Sequence, residues 1–147
     1  EGNGWSHKYA RRQWNLVDNK ELDYHYLGDF DHDMLSVLKS EKNINKTAVQ
    51  EIWHNDGDQI LAYMRGDLVF VFNFSPSRSY SDYGFLVPEG AYEVMLNTDS
   101  KLYGGNGLAD DTITHFTNSD KLYAKDHKGW LMLYIPARSA VVLRRKE

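Results

Sequence analysis

"AVQEIWHNDGDQILAYMRGDLVFVFNF", residues 48–74, is the stretch on which the fold turns. Two runs of strand type, "AVQEIWH" and "QILAYMR", flank Asn55-Asp56-Gly57-Asp58. This spacing predicts a hairpin whose turn is built around Asp56-Gly57, because glycine tolerates the positive φ of tight hairpins. Arg65-Gly66-Asp67 then turns the chain into "LVFVFNF", a continuous apolar run. Such a run predicts a strand buried on both faces rather than one with a wet side. "AYEVMLNT", "WLMLYIP" and "SAVVLRR" read as further strands, separated by Gly- and Asn-rich loops. At least six strands with no helix between them predict a mainly β, antiparallel sandwich.

Upstream of this block the period changes. Leu22, Tyr26, Leu27, Phe30, Met34, Leu35 and Leu38 recur at three- to five-residue intervals, which places them on one helical face. Asp18 and Glu21 form a capping-box-like start, and Val17 and Leu22 suit a hydrophobic staple. A helix is therefore expected over about Asn19 to Lys39, with Asp23, Asp29, Asp31 and Asp33 on its solvated outer face. A shorter helix is expected over Ser6 to Trp14. The polar "SEKNINK", residues 40–46, reads as a linker.

With 147 residues, one well-buried core is expected. Seventeen Lys and Arg against 21 Asp and Glu give a formal charge of −4, which provides no global field for nucleic acid or an anionic membrane. The absence of Cys removes a disulfide framework, a thiol nucleophile and Cys-ligated zinc, and fits a reducing cytoplasm. No apolar run approaches the roughly 20 residues that span a bilayer. A first residue Glu1 rather than Met suggests a chain trimmed or cut from something larger.

No self-contained catalytic apparatus is legible. Asp29 and Asp33 share a helical face, but carboxylates on a solvated face lack the desolvation that would raise one pKa for general-acid work. The six His residues, at 7, 25, 32, 54, 115 and 127, have no metal-binding spacing. Gly104-Gly105-Asn106-Gly107 is a turn and not a phosphate loop, since no Lys-Ser or Lys-Thr follows it. No Ser sits in a nucleophile elbow. What remains is aromatic. Trp5, Tyr9 and Trp14 run beside Arg11, Arg12 and Gln13, and Tyr80 and Tyr83 flank Asp82 in "SYSDY". Flat rings beside fork-shaped or amide donors suit the apolar face and hydroxyls of a sugar, yet the same rings also suit core packing, and spacing alone leaves both readings open.

"EGNGWSHKYARRQWNLVDN", residues 1–19, resembles the segment that follows the eighth barrel strand in 1,4-α-glucan (starch or glycogen) branching enzymes of glycoside hydrolase family 13. The likeness continues through "YLGDFDHDML", "LVFVFNFSPSRSYSDY" and "LYGGNG", and closes in "YIPARSAVVL", like the final strand of many α-amylase-family C-terminal domains. It covers nearly the whole chain. The resemblance implies that residues 1–45 are the helical end of a (β/α)8 catalytic barrel and residues 46–147 an all-β C-terminal domain. Loops at the C-terminal end of barrel strands build active sites, so Trp5, Tyr9, Arg12 and Trp14 are expected to edge a glucan cleft, with Tyr80 and Tyr83 as further contacts.

Enzymes of that family cleave an α-1,4 bond, hold the cut chain covalently and pass it to a 6-hydroxyl, using an Asp nucleophile, a Glu acid/base and a second Asp. None of those catalytic patterns occurs in this stretch, so it is expected to be inactive alone, with no catalytic residue, metal or organic cofactor. Its expected partners are an α-glucan and the catalytic barrel. Deprived of that barrel, the helical face from Leu22 to Leu38 is expected to present an apolar patch prone to self-association. Two local departures stand out: His7, where an aromatic is usual in relatives, and "SDYGFLVPEGAYEV", shorter and more apolar than the loops of plant and animal enzymes. A free-standing carbohydrate-binding module and a protein-interaction sandwich are the rival readings.

Overall fold

The computed structural model describes residues 13–42 and 44–146. Among the described residues two α-helices, α1 (Asn15–Asp18) and α2 (Tyr24–Ser40), precede nine strands: β1 (Gln50–Asn55), β2 (Ile60–Arg65), β3 (Leu68–Asn73), β4 (Tyr80–Pro88), β5 (Ala91–Asn97), β6 (Thr114–Phe116), β7 (Asn118–Ser119), β8 (Lys128–Ile135) and β9 (Ser139–Arg145). They form two antiparallel sheets, one ordered β1-β2-β3-β9-β5-β6 and the other β4-β8-β7. The antiparallel sandwich with preceding helices is the architecture expected from the sequence.

The first core lies between the sheets. Ile60, Ala62, Val69 and Val71 of the larger sheet meet Phe85, Val87, Leu131, Leu133 and Ile135 of the smaller, and Tyr92 and Leu143 complete it. Each large apolar side chain sealed there contributes about 1.5–3 kcal/mol by leaving water. Tyr92 is wholly buried, and its hydroxyl donates to the carbonyl of Pro88 at 2.8 Å. Burial in this apolar setting pushes the phenol up to about 12. Asn73 is also buried, and its amide is satisfied: Nδ2 donates to the carbonyls of Arg78 and Pro136, while Oδ1 accepts from the Ser75 N–H.

A second core lies on the other side of the larger sheet, where α2 crosses it. Leu68, Leu96, Val142 and Ile44 pack against Phe30, Met34, Val37 and Leu38 of the helix. Because Val69 and Val71 face one core while Leu68 and Phe70 face the other, β3 is enclosed on both sides, as its continuous apolar run demands. Arg144 ties the end of the helix to the sheet, bridging Glu41 at 3.5 Å and Glu93 at 3.2 Å.

Four expectations need correction. The helix begins at Tyr24, not Asn19: the Asn19 side chain accepts from the Glu21 N–H at 3.0 Å, and this local bond replaces the capping box, while Asp23 at the N-cap makes no side-chain cap. Val17 lies on Gly28, where a Cβ would stand 2.9 Å from Val17 Cγ1. The stretch from Ser40 to Lys46 is no free linker, since Ile44 is buried in the second core. In the first hairpin the positive φ falls on Gln59 (58°) rather than Gly57. The apolar face of α2 is only partly bare: Phe30, Met34 and Leu38 meet the sheet, and Tyr24, Leu27 and Leu35 are exposed. The short helix expected over Ser6 to Trp14 lies almost wholly outside the described residues.

Candidate functional site

Tyr80 and Tyr83 open β4, three residues apart, a spacing that in a regular strand would send them to opposite faces. A β-bulge between them, with Asp82 at φ 50°, returns both rings to the side of the inter-sheet core. There they meet edge to face at 5.3 Å. Their hydroxyls converge on the β1–β2 turn: Tyr80 donates to the Asp58 carbonyl at 3.0 Å, and Tyr83 to the Asp58 carboxylate at 2.9 Å. Trp53 of β1 donates its indole N–H to the Tyr83 hydroxyl at 3.1 Å. Desolvation, chiefly, holds the Tyr83 phenol above its ordinary value. The Arg78 guanidinium stands 5.9 Å from the centre of the Tyr80 ring and donates to the Gly57 carbonyl.

This chain of bonds runs from indole to phenol to carboxylate and clasps β4 onto the first hairpin. Both tyrosine hydroxyls donate within the protein. The ring left facing solvent is Trp53, 46% exposed. It offers an exposed apolar indole face one hydrogen bond from Tyr83 and, through it, the Asp58 carboxylate, a mixture suited to a neutral, hydroxyl-rich ligand. Sequence reasoning passed over Trp53, because "IWH" carries only a strand signal. Trp14 lies on the turn entering α1, 66% exposed and far along the chain from the tyrosine pair. Trp5, Tyr9 and Arg12 lie outside the described residues.

A second cluster joins α2 to the loop after β5. Tyr103 donates its hydroxyl to Asp33 Oδ2 at 2.8 Å, and His32 Nδ1 lies 2.9 Å from Asp33 Oδ1. His32 first, and Tyr103 second, hold the Asp33 carboxyl below its ordinary value. Asp33 therefore does not belong to a purely solvated outer face with Asp29 and Asp31; it is a clasp between helix and sheet. The Tyr103 phenol rises to about 12, chiefly through burial and then through the neighbouring carboxylate. The glycine-rich run beside it is the turn expected. Gly104, at φ 75°, lies flat under Tyr26, where a Cβ would come within 2.9 Å of the ring. The Asp99 carboxylate accepts from the backbone N–H groups of Asn106 and Leu108. Among the described residues, no three His, Asp or Glu side chains stand close enough to hold a metal ion, and no helix is long and apolar enough to cross a membrane.

Residues 52–146 match the family described as the alpha amylase C-terminal all-beta domain. The 1,4-alpha-glucan-branching enzyme of Saccharomyces cerevisiae is 39% identical over 146 residues, 99% of this chain and 20% of that protein. The branching enzyme of Rhizophagus irregularis is 36% identical over 144 residues, 97% of this chain and 21% of that protein. The chloroplastic/amyloplastic enzyme of Oryza sativa subsp. japonica is 40% identical over 123 residues, 82% of this chain and 15% of that protein. The chain thus spans about a fifth of the length of the curated relatives it matches.

Proposed function

We propose, because the chain belongs to the family of alpha amylase C-terminal all-beta domains, that it is the C-terminal part of a longer 1,4-α-glucan branching enzyme. The observation that carries this reading is coverage. Branching enzymes match almost all of this chain, helices included, while the family of β domains begins only at residue 52. Residues 1–45 are then the end of a (β/α)8 catalytic domain and residues 46–147 the all-β domain. The parent cleaves an α-1,4 bond and transfers the chain to a 6-hydroxyl by the retaining route, and its carboxylates lie upstream of this stretch. The role of the stretch is support of the catalytic barrel, with glucan contact as a secondary task.

For that contact the two aromatic groups have different weight. Trp5, Tyr9, Arg12 and Trp14 are proposed to edge the cleft of the parent. Tyr80 and Tyr83 act through Trp53: their hydroxyls hold the hairpin, and the exposed indole offers the stacking face. A cytoplasmic setting is favoured by the lack of cysteine, and the charge of −4 favours a neutral glucan over nucleic acid.

The test is branching of amylose, read as loss of iodine absorbance, by this chain and by the protein its full gene encodes. Activity in the longer protein alone is the expected result. Activity in the 147 residues would overturn the reading, and a reading frame beginning near Glu1 would point to a free-standing carbohydrate-binding module. Trp53→Ala in the longer protein is expected to weaken retention in an amylopectin gel several-fold, with the fold intact. Unchanged retention would confine Trp53 to packing.

A further inference from the structure

At the edge of the sandwich opposite the first hairpin, β6 has three residues and β7 two, and the loop from Leu108 to Ile113 lies over the gap between the sheets. A cavity of about 170 Å³ remains there. Leu133 and Leu143 form its buried wall, and Asn97, Asp110, Asp111 and His115 bring polar groups to it. His115 stands opposite Tyr92 in the β5–β6 pair and shares its core-facing side, as Asn97 does opposite Val141. Side chains pin the loop. Asn97 Nδ2 donates to Asp111 Oδ1 at 2.6 Å, the Asp99 carboxylate accepts from the Leu108 N–H at 2.6 Å, and Asp110 Oδ1 accepts from the Thr112 N–H at 2.8 Å. A loop fixed in advance spares a ligand the cost of ordering it. Two groups stay unused: among the described residues, neither Asp111 Oδ2 nor either ring nitrogen of His115 has a hydrogen-bond partner. No fully buried side-chain nitrogen or oxygen among these residues lacks a partner, so those atoms reach space that a ligand can enter. Burial holds the His115 imidazole below its ordinary value, leaving at neutral pH a ring that donates from one nitrogen and accepts at the other.

We propose that this cavity is a binding pocket for one uncharged, hydroxyl-bearing ring, the terminal glucosyl unit of an α-glucan chain. That the ring is a glucosyl unit rests on the reading above that this chain is part of a branching enzyme; its size, charge and polarity rest on the pocket. A cavity of about 150 Å³ in another protein holds one benzene-sized ring, so this one admits a single six-membered ring. The two sheets and the loop wall it on three sides, which leaves no passage for a continuous chain and selects an end. Hydroxyls would meet Asp111 Oδ2 and His115, with the C–H face of the ring on the leucines. A purely apolar guest would leave both polar groups unmatched. The carboxylates of Asp110 and Asp111 repel an anion such as a sugar phosphate. Trp53, on β1, lies at the opposite edge of the larger sheet from β6, so the pocket is a contact separate from the exposed indole.

The experiment uses the full-length enzyme with isoleucine methyl groups labelled for NMR, where Ile113 reports on the cavity and Ile44 on the core under α2. The Ile113 signal is assigned by its loss in Ile113→Val. Maltotriose is expected to shift the Ile113 methyl saturably and to leave Ile44 in place. α-Cyclodextrin, built of the same units closed into a ring without ends, is expected to leave both in place. Asp111→Asn, and separately His115→Phe, is expected to raise the Kd read at Ile113 by about tenfold, the loss of one buried hydrogen bond. No shift with maltotriose, an equal shift with α-cyclodextrin, tighter binding of glucose 1-phosphate than of glucose, or an unchanged Kd in both variants would each overturn the proposal. Branching activity of the same preparation keeps the two readings apart: an active enzyme whose Ile113 signal ignores maltotriose sinks only this inference, and a full-length protein that does not branch amylose sinks the reading on which it rests.

Discussion

The two cores of this domain differ in how completely they are closed. Between the sheets, side chains from both layers seal one another, and Phe85, Tyr92, Leu131 and Leu143 are almost inaccessible. Against the outer face, α2 runs for 17 residues and buries none of them fully. Its sheet-facing residues are only half covered, and a cavity remains at its side. A core assembled wholly from one set of strands is self-sufficient. One assembled from a helix laid on a sheet is only as good as the area the helix spans, and here that area is too small for the apolar surface offered.

This difference can be broken or sharpened by mutation. Phe85→Ala, in the closed core, is expected to cost about 3–5 kcal/mol by denaturant titration, because no neighbour can collapse into the space. A cost under 1 kcal/mol would show that core to be loose and remove the contrast. Met34→Ala, in the open core, is expected to cost about 2 kcal/mol, the lower end for such truncations, since water already reaches the site. Equal costs at the two positions would mean that α2 is held as firmly as the strands. Gly104→Ala is expected to cost roughly 1–2 kcal/mol, from a left-handed φ and a clash with Tyr26 that loosens the helix without touching the inter-sheet core. Its check is faster amide exchange in α2 with β8 unaltered.

The smallest effect is a pH dependence. The carboxyl of Asp33 is held below its ordinary 3.8 in the folded protein. Its contribution to stability is therefore present above about 3.8 and is lost as the pH falls through the lower folded value. Tyr103→Phe removes one of the two hydrogen bonds that lower it, so the acid limb of the stability profile should become shallower. Superimposable profiles for wild type and Tyr103→Phe between pH 2 and 5, measured by thermal melting, would show that the clasp adds nothing.

Elements whose signal is local were legible in the sequence. The turn residues after Asn55 announced the first hairpin, and the unbroken "LVFVFNF" announced a strand covered on both sides. β4 was harder, because the bulge at Asp82 breaks its alternation and disguises the strand as a loop. The start of α2 was displaced because Asn19 bonds to the backbone in place of the expected cap. The period of Phe30, Met34 and Leu38 marks a face but not its partner, so the sheet that covers it had to come from tertiary structure. The same limit applies to the site. Tyr80 and Tyr83 were singled out for their aromatic character, and the bonds to Asp58 and Trp53, which give them a structural task, join residues 22 to 30 positions apart.

The position of β9 has a consequence for how the domain comes into being. Strand β9 lies at the centre of the larger sheet, between β3 and β5, and pairs Leu68 with Arg144. A ribosome that has delivered everything up to Arg138 has produced two half-sheets, each with a long apolar edge unpaired. Such edges invite pairing with other chains, and closing a loop of about 75 residues is slow. The domain is therefore most vulnerable to aggregation before β9 is delivered, and a nonsense codon that removes β9 leaves two sticky edges in place of a shortened sheet.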